Sequence, residues 1–253
     1  MKLLKQQHWD LLFLLVAGGV LYFYFQSDIQ MSSGTQYGFT TQQWSLAVFI
    51  TAVVHQLYVL ICWRSELHYK TLTKSFGEKA FSFYKLGFFV LFSFRPTTII
   101  FLALANAGTL NLNTGLSTFM AGFFVVPWLF LVYSVRKYFG TDRAFGIDHF
   151  HPEKYRDVEL VKKGIFKYTS NGMYMFGPLI LWIVAFYFQS KAALVMAGFS
   201  HVYIWVHYYF TELPDMEDIW EGIVVVTMST GHLQSRGLDY FYNSINSNPP
   251  STI

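Results

Sequence analysis

A chain of 253 residues that is 53% hydrophobic, 20% aromatic and only 13% charged is too apolar for an ordinary water-soluble domain, where about a quarter of side chains carry charge. A single cysteine, Cys62, excludes an intrachain disulfide and any thiol-rich metal site. The net charge of +3 suits an anionic membrane leaflet and argues against nucleic acid as a partner.

In chain order, six apolar runs stand out, at 11–25, 44–63, 86–107, 116–138, 173–188 and 192–210. A helix needs roughly 20 such residues to cross a hydrocarbon core about 30 Å thick, so the first and fifth runs are short. No alternating strand pattern accompanies them, and only helices or closed barrels satisfy their backbone in lipid. The expected fold is therefore all-α: a polytopic membrane protein of about six transmembrane helices. Lys and Arg gather in short cytoplasmic loops. Here Lys2 and Lys5 precede the first run, Arg64, Lys70, Lys74, Lys79 and Lys85 follow the second, and a third basic group from Arg136 to Lys167 follows the fourth; the alternate loops hold only Lys191. That bias predicts cytoplasmic termini and a cytoplasmic catalytic face. Residues 1–25 resemble a cleaved leader, but the bulky 22–26 segment offers no cleavage site, which predicts a retained helix. The chain divides into N-terminal helices one to four over 1–139 and a C-terminal region over 140–253 holding a basic loop, helices five and six and a frayed tail at 243–253. Segments 40–44 and 65–79 read as plain connections.

Within this frame a few polar residues invite chemistry. Arg95-Pro96 is expected to interrupt the third run near its middle. A charge there costs about 2.5 to 3.5 kcal/mol, so Arg95 either clamps a lipid phosphate or snorkels outward. The segment Asp148-His149-Phe150-His151-Pro152-Glu153 does not have zinc-ligand spacing, and no metal is expected. Arg143, His149 and His151 in this loop could instead cover a cofactor or meet headgroup phosphate. On the sixth run His201, Trp205 (or Ile204), Tyr208 and Glu212 recur at spacings of three and four and share a stripe, with Tyr203 and His207 on a neighbouring one. An aromatic belt at the interface would account for Tyr208 and Tyr209, but His201 would lie about two and a half turns deeper. His201 and His207 have the ordinary pKa range for taking a proton, and for each a hydrogen bond to a neighbouring helix is the competing reading. Ser170, Gly172 and Gly177 would let the fifth run approach that stripe closely. The acidic run Asp215, Glu217, Asp218 and Glu221 reads as a solvated helix face.

Arg143-Ala144-Phe145, Leu160-Val161, Gly164, Phe166, Tyr168, Asn171, Met173-Tyr174, Gly177 and Thr211-Glu212-Leu213-Pro214-Asp215-Met216 together resemble the membrane methyltransferase family that includes phosphatidylethanolamine N-methyltransferase and isoprenylcysteine carboxyl methyltransferase. The resemblance covers roughly the last 80 to 110 residues. It implies a methyltransferase that uses S-adenosylmethionine, with Gly164, Tyr168, Asn171, Gly172, Met173, Tyr174, Gly177, Tyr208 and Glu212 around the cofactor. Glu212 would hold the cofactor's amino group, and His201 or His207 would take the acceptor's proton. The acceptor would be a membrane lipid, with Arg95, Arg143 and His149 on its side of the site; phosphatidylethanolamine or a relative is the leading case. The chain departs from the family pattern at Ser170-Asn171-Gly172, where Arg-His-Pro is usual, and at Thr211, where a second glutamate is often found. Two alternatives remain: an NADPH-dependent reductase of the steroid and sterol type, for which Lys162, Lys163 and Lys167 could meet the extra phosphate, and a non-catalytic membrane protein.

Overall fold

The computed structural model describes residues 2–155 and 158–219. Among these, helix covers most of every predicted apolar run. Helix α1 spans Gln7–Ser27, and a single turn, α2, covers Ile29–Ser32. A two-residue hairpin then pairs β1, Thr35–Gln36, with β2, Phe39–Thr40. Helix α3 covers Thr41–Tyr69, α4 Thr71–Phe76, α5 Ala80–Ala105 and α6 Thr114–Ser134, the last running into a π turn at Val135–Phe139. The basic loop is built from three short turns, α7 at Thr141–Ala144, α8 at Ile147–Phe150 and α9 at Pro152–Tyr155, and a 3-10 turn at Gly164–Lys167. The chain then forms α10 at Gly172–Phe176, α11 at Leu179–Tyr187 and α12 at Lys191–His207, which passes into a second π turn at Tyr208–Glu212.

Four helical stretches are long and apolar enough to cross a membrane: Lys2–Ser27, Thr41–Tyr69, Thr71–Ala105 and Thr114–Phe139. The other two runs are shorter, Gly172–Tyr187 being split by a break at 177–178 and α12 counting 17 residues. They pack as a hairpin, α11 against both α6 and α12, while α12 lies against α3 and α5.

Side-chain caps set the helix starts. Thr40 and Gln43 form a reciprocal capping box at α3, with 2.8 Å from Thr40 N to Gln43 Oε1. Asn113 caps α6 and Ser190 caps α12. The segment 40–44 is thus the start of a helix and not a plain connection. The same correction applies to 65–79: α3 continues to Tyr69, Lys70 turns the chain in the left-handed region, and the Glu66 carboxylate caps α4 through the Leu72 and Thr73 amides and the Thr73 hydroxyl. Helix α5 also differs from expectation, because it runs unbroken through Pro96. Proline removes one ladder hydrogen bond, and Thr98 Oγ1 donates to the Phe94 and Arg95 carbonyls in that turn.

The core lies toward the end of the bundle opposite the basic loops. Ala52, Ala103, Ala185, Ala192, Ala193 and Ala197 are buried there beside Ile99, Leu102 and Met196, and small side chains let helices approach where lipid offers no hydrophobic drive. Asn106 pins this end by donating to the Gln30 carbonyl at 2.7 Å and accepting from Ala192 N at 2.9 Å, and Lys191 pairs with Asp28. Close helix approach therefore rests on alanines here. Gly172 faces Ile165, and Gly177 faces the Met173 carbonyl of its own turn.

Candidate functional site

At the basic end, residues from the segment before α1 and from the stretch after α12 close around Arg64. Its guanidinium has five N–H donors, and each of its nitrogens is engaged. Nε donates to Asp215 Oδ1 at 2.8 Å, Nη1 to the Leu3 and Lys5 carbonyls at 3.1 and 2.7 Å, and Nη2 to the Phe210 and Thr211 carbonyls at 3.1 and 3.4 Å. The π turn after α12 presents the last two carbonyls; Gln7 Nε2 also donates to Phe210 at 2.8 Å. A π turn shifts the backbone ladder by one residue and re-aims the side chains beyond it, a device frequent at functional sites. Through it, Asp215 turns inward and Lys5 reaches Asp218 at 2.9 Å. Asp215, expected on a solvated face, is 1% exposed: the buried arginine overrides the hydrophilic pattern. Arg64, counted from sequence as a loop cation, is wholly buried. Glu221 and the 243–253 tail lie outside the described residues.

Next to this pair sits His149. Gly146, at φ +80°, lets the loop close over Trp63, whose ring a Cβ would strike at 2.4 Å. That closure stacks the His149 imidazole on Trp63 with ring centroids 4.2 Å apart. Asp148 Oδ1 meets His149 Nδ1 at 2.9 Å, while Nε2 faces Asp215 Oδ2 at 3.8 Å; both facing atoms are enclosed and have no hydrogen-bond partner among the described residues. Burial works to lower the His149 pKa, but the Asp148 hydrogen bond and the charges of Asp148, Asp215 and Glu212 outweigh it and hold it above the usual imidazole value. Asp148 shows the converse: burial would raise it, yet His149 and Arg143 keep it below the ordinary carboxylate range. Nδ1 is therefore the donor to an ionised Asp148, and Nε2 presents a lone pair when the ring is neutral. Glu212, in the π turn, feels Asp148, His149 and Asp215. Its carboxyl is pushed up to about 8, first by burial and then by the two aspartates, against the pull of His149.

The aromatic wall is on the other side of α12. Tyr174 from α10 lies 4.7 Å from the Tyr208 ring and 5.8 Å from the Trp205 ring, and Asn171 interacts with Tyr208. The two stripes read on the sixth run thus face different partners: Trp205 and Tyr208 look toward α10, whereas Tyr203 and His207 are buried toward α1 and α3. Tyr209 is exposed, as a belt residue would be.

Other expected positions serve the scaffold. His201 Nδ1 accepts from Trp182 Nε1 at 3.2 Å, so the helix-to-helix hydrogen bond is the arrangement found. Gly164, at φ +61°, lies against Ser134, whose hydroxyl a Cβ would meet at 2.5 Å; that hydroxyl accepts from Ile165 N at 2.9 Å and seats the 3-10 turn on α6. Met173 packs with Leu131, Ile165 and Phe166. Tyr168 is 76% exposed and joins none of these groups. Arg143 lies over the Phe139 ring and, with Tyr138 and Tyr155, lines an open cavity of about 420 Å³. Among the described residues no group of three metal-ligating side chains is present.

Sequence reading missed Trp63, Arg64 and Asp215. The available signal was Trp63-Arg64-Ser65-Glu66, two opposite charges at the end of an apolar run. No curated protein and no solved structure matches this chain. The stretch holding Asp148, His149, Asn171, Tyr174, His207, Glu212 and Asp215 does match, over residues 112–222, the model of the phospholipid methyltransferase family, in keeping with the resemblance its motifs carry.

Proposed function

We propose that this protein is an integral membrane methyltransferase that uses S-adenosylmethionine to methylate a lipid or lipid-like acceptor, with the amine of phosphatidylethanolamine or a relative as the leading case. The observation that carries the reading is that α12 and the turn after it join two groups within the matched stretch, an aromatic wall (Tyr174, Trp205, Tyr208) on one side and the Asp148–His149, Glu212 and Asp215 cluster on the other. These residues fit the cofactor's chemistry. Aromatic faces attract a sulfonium, a carboxylate takes an ammonium, and His149 Nε2 and Asp215 Oδ2, enclosed and without a hydrogen bond among the described residues, are suited to a polar group. When bound, the cofactor supplies an electrophilic methyl group.

The chain's own residues then position and deprotonate. Tyr174, Tyr208 and Asn171 hold the cofactor beside α12, and ionised Glu212 takes its amino group. Gly164, Gly172, Gly177 and Met173 fix the turn that carries Asn171 and Tyr174. An ammonium cannot attack, so the acceptor must lose a proton first. His149 Nε2 takes it, oriented by Asp148 and backed by Asp215. Of the two histidines on α12, His201 is engaged by Trp182 and His207 is buried against Trp63, which leaves proton removal to His149. Arg143 and Arg95 serve the acceptor's phosphate. The basic end faces the cytoplasm, following the Lys and Arg asymmetry. The reductase alternative draws no support from the family match.

The test is a titration of detergent-solubilised protein with S-adenosylmethionine, S-adenosylhomocysteine and NADPH, read by melting temperature and tryptophan emission. The first two should stabilise the protein, NADPH should not, and Glu212→Ala should lose the effect. Stabilisation by NADPH alone would replace this reading with the reductase.

A further inference from the structure

Beyond Trp63, which separates them from the His149 ring, polar side chains with no hydrogen-bond partner among the described residues meet between α3, α5 and α12. Arg95 is 8% exposed, His55 3% and His207 4%. Among the described residues the Arg95 guanidinium donates no hydrogen bond and meets no carboxylate. Its electrostatic neighbours are His55, His207 and Tyr203, and His55 and His207 also act on each other. Among the described residues, both ring nitrogens of His55 and Nε2 of His207 have no hydrogen-bond partner. The His55 ring is held by Phe88 and Phe92 at 4.8 and 6.0 Å, on the turns of α5 just before Arg95. The nearby carboxylate, Asp10, is taken up by the Tyr203 hydroxyl at 3.5 Å.

A lone guanidinium buried in a span is costly unless something supplies the negative charge. Snorkelling, the competing reading of Arg95, does not apply to a side chain this enclosed. Donors outnumber acceptors around it: the guanidinium fork and one N–H on each neutral imidazole stand against one ring lone pair on each imidazole, with no carboxylate acting on either ring among the described residues. A fork of parallel N–H donors matches phosphate oxygens two at a time. We propose that Arg95, with His55 and His207, forms an intramembrane site for the phosphodiester of a glycerophospholipid. Its depth agrees: His207 precedes Glu212 by five residues, about 7 Å along the helix. A phosphate at Arg95 would leave the headgroup amine pointing toward Glu212 and His149. Arg95 and His55 precede the matched stretch 112–222, so the N-terminal helices contribute acceptor recognition that the family match does not cover. In naming the ligand as an acceptor, the inference rests on the methyltransferase reading; the phosphate site itself does not.

The test uses the full chain in maltoside micelles, titrated with dioctanoyl phosphatidylethanolamine, dioctanoylglycerol, sodium phosphate and, separately, S-adenosylhomocysteine, each read by melting temperature. The phospholipid should stabilise, dioctanoylglycerol and sodium phosphate should not, and Arg95→Gln should weaken phospholipid affinity by about tenfold or more while the S-adenosylhomocysteine response is kept. Should Arg95→Gln fail to fold, His55→Phe, which fills the space against Phe88 and Phe92, gives the same readout. Equal stabilisation by dioctanoylglycerol or by sodium phosphate would overturn the proposal. So would a variant that keeps phospholipid affinity, or one that loses only the S-adenosylhomocysteine response, which would assign Arg95 to the cofactor's carboxylate. If the phospholipid responds as stated while S-adenosylhomocysteine binds no form of the protein, the methyltransferase reading fails and this site stands.

Discussion

Glu212 decides how the proposed site responds to pH. With its carboxyl pushed up to about 8, most molecules carry it as the neutral acid at pH 7, and it must ionise to hold an ammonium. Cofactor binding should therefore release a proton. S-adenosylhomocysteine affinity should improve about fivefold between pH 7 and 8 and less than about twofold above that, as the ionised fraction saturates. Calorimetry in buffers of different ionisation enthalpy measures both effects, and Glu212→Gln should flatten them. The ligand-free protein should show the opposite trend. A carboxyl raised in the fold from 4.5 to about 8 contributes stability that is complete below pH 4.5 and lost as pH climbs through about 8, so melting temperature should fall from pH 6 to pH 9 in the wild type and less so in Glu212→Gln. His149 belongs to the same scale. Held above its ordinary value by Asp148, Asp215 and Glu212 against burial, it should give methyl transfer an acid limb with an apparent pKa above 6.5, and Asp148→Asn should shift that limb downward.

At the scale of elements, two local devices place the site. Arg64 joins the segment before α1, the end of α3 and the π turn after α12. Removing one partner of a buried ion pair leaves the other uncompensated, so Arg64→Met or Asp215→Leu should destabilise the protein by about 3 to 5 kcal/mol. The double variant should recover part of that loss, a pattern that thermal unfolding in detergent can read. Gly164 is the second device. Its φ of +61° and the 2.5 Å approach of Ser134 Oγ to a Cβ position predict that Gly164→Ala costs about 1 to 3 kcal/mol and loosens the turn carrying Asn171. The sequence made the π turn hard to foresee, because Tyr208 to Glu212 has the composition of an ordinary helix end. Without it, Asp215 reads as one more charge on a wet face. Arg64 was misplaced for a related reason: a cation closing an apolar run looks the same in a loop as in a core, and only the carbonyls it meets distinguish the two.

At the scale of the molecule, the helical character of the apolar runs was legible because four of them are long enough to span and helix starts are marked by capping residues such as Thr40, Asn113 and Ser190. The grouping of Tyr174 with Tyr208 was legible too, since motif spacing and helical periodicity agree on it. The contribution of the N-terminal half, where Trp63 stacks on His149 and His55 lies near Arg95, could not be read, because those contacts join residues with no local pattern in common. The outcome is a bundle whose matched C-terminal part is closed by helices outside the match, with the chain's first residues locked to the end of α12 through Lys5, Arg64 and Asp218. The most direct test of the central claim is to place the protein in nanodiscs containing phosphatidylethanolamine, supply S-adenosylmethionine labelled at its methyl group, and track label in the extracted lipid. Wild-type protein should transfer label to the phospholipid amine, and Glu212→Ala should not. Absence of label in any lipid from protein that binds the methyl donor, or transfer undiminished in Glu212→Ala, would contradict the account.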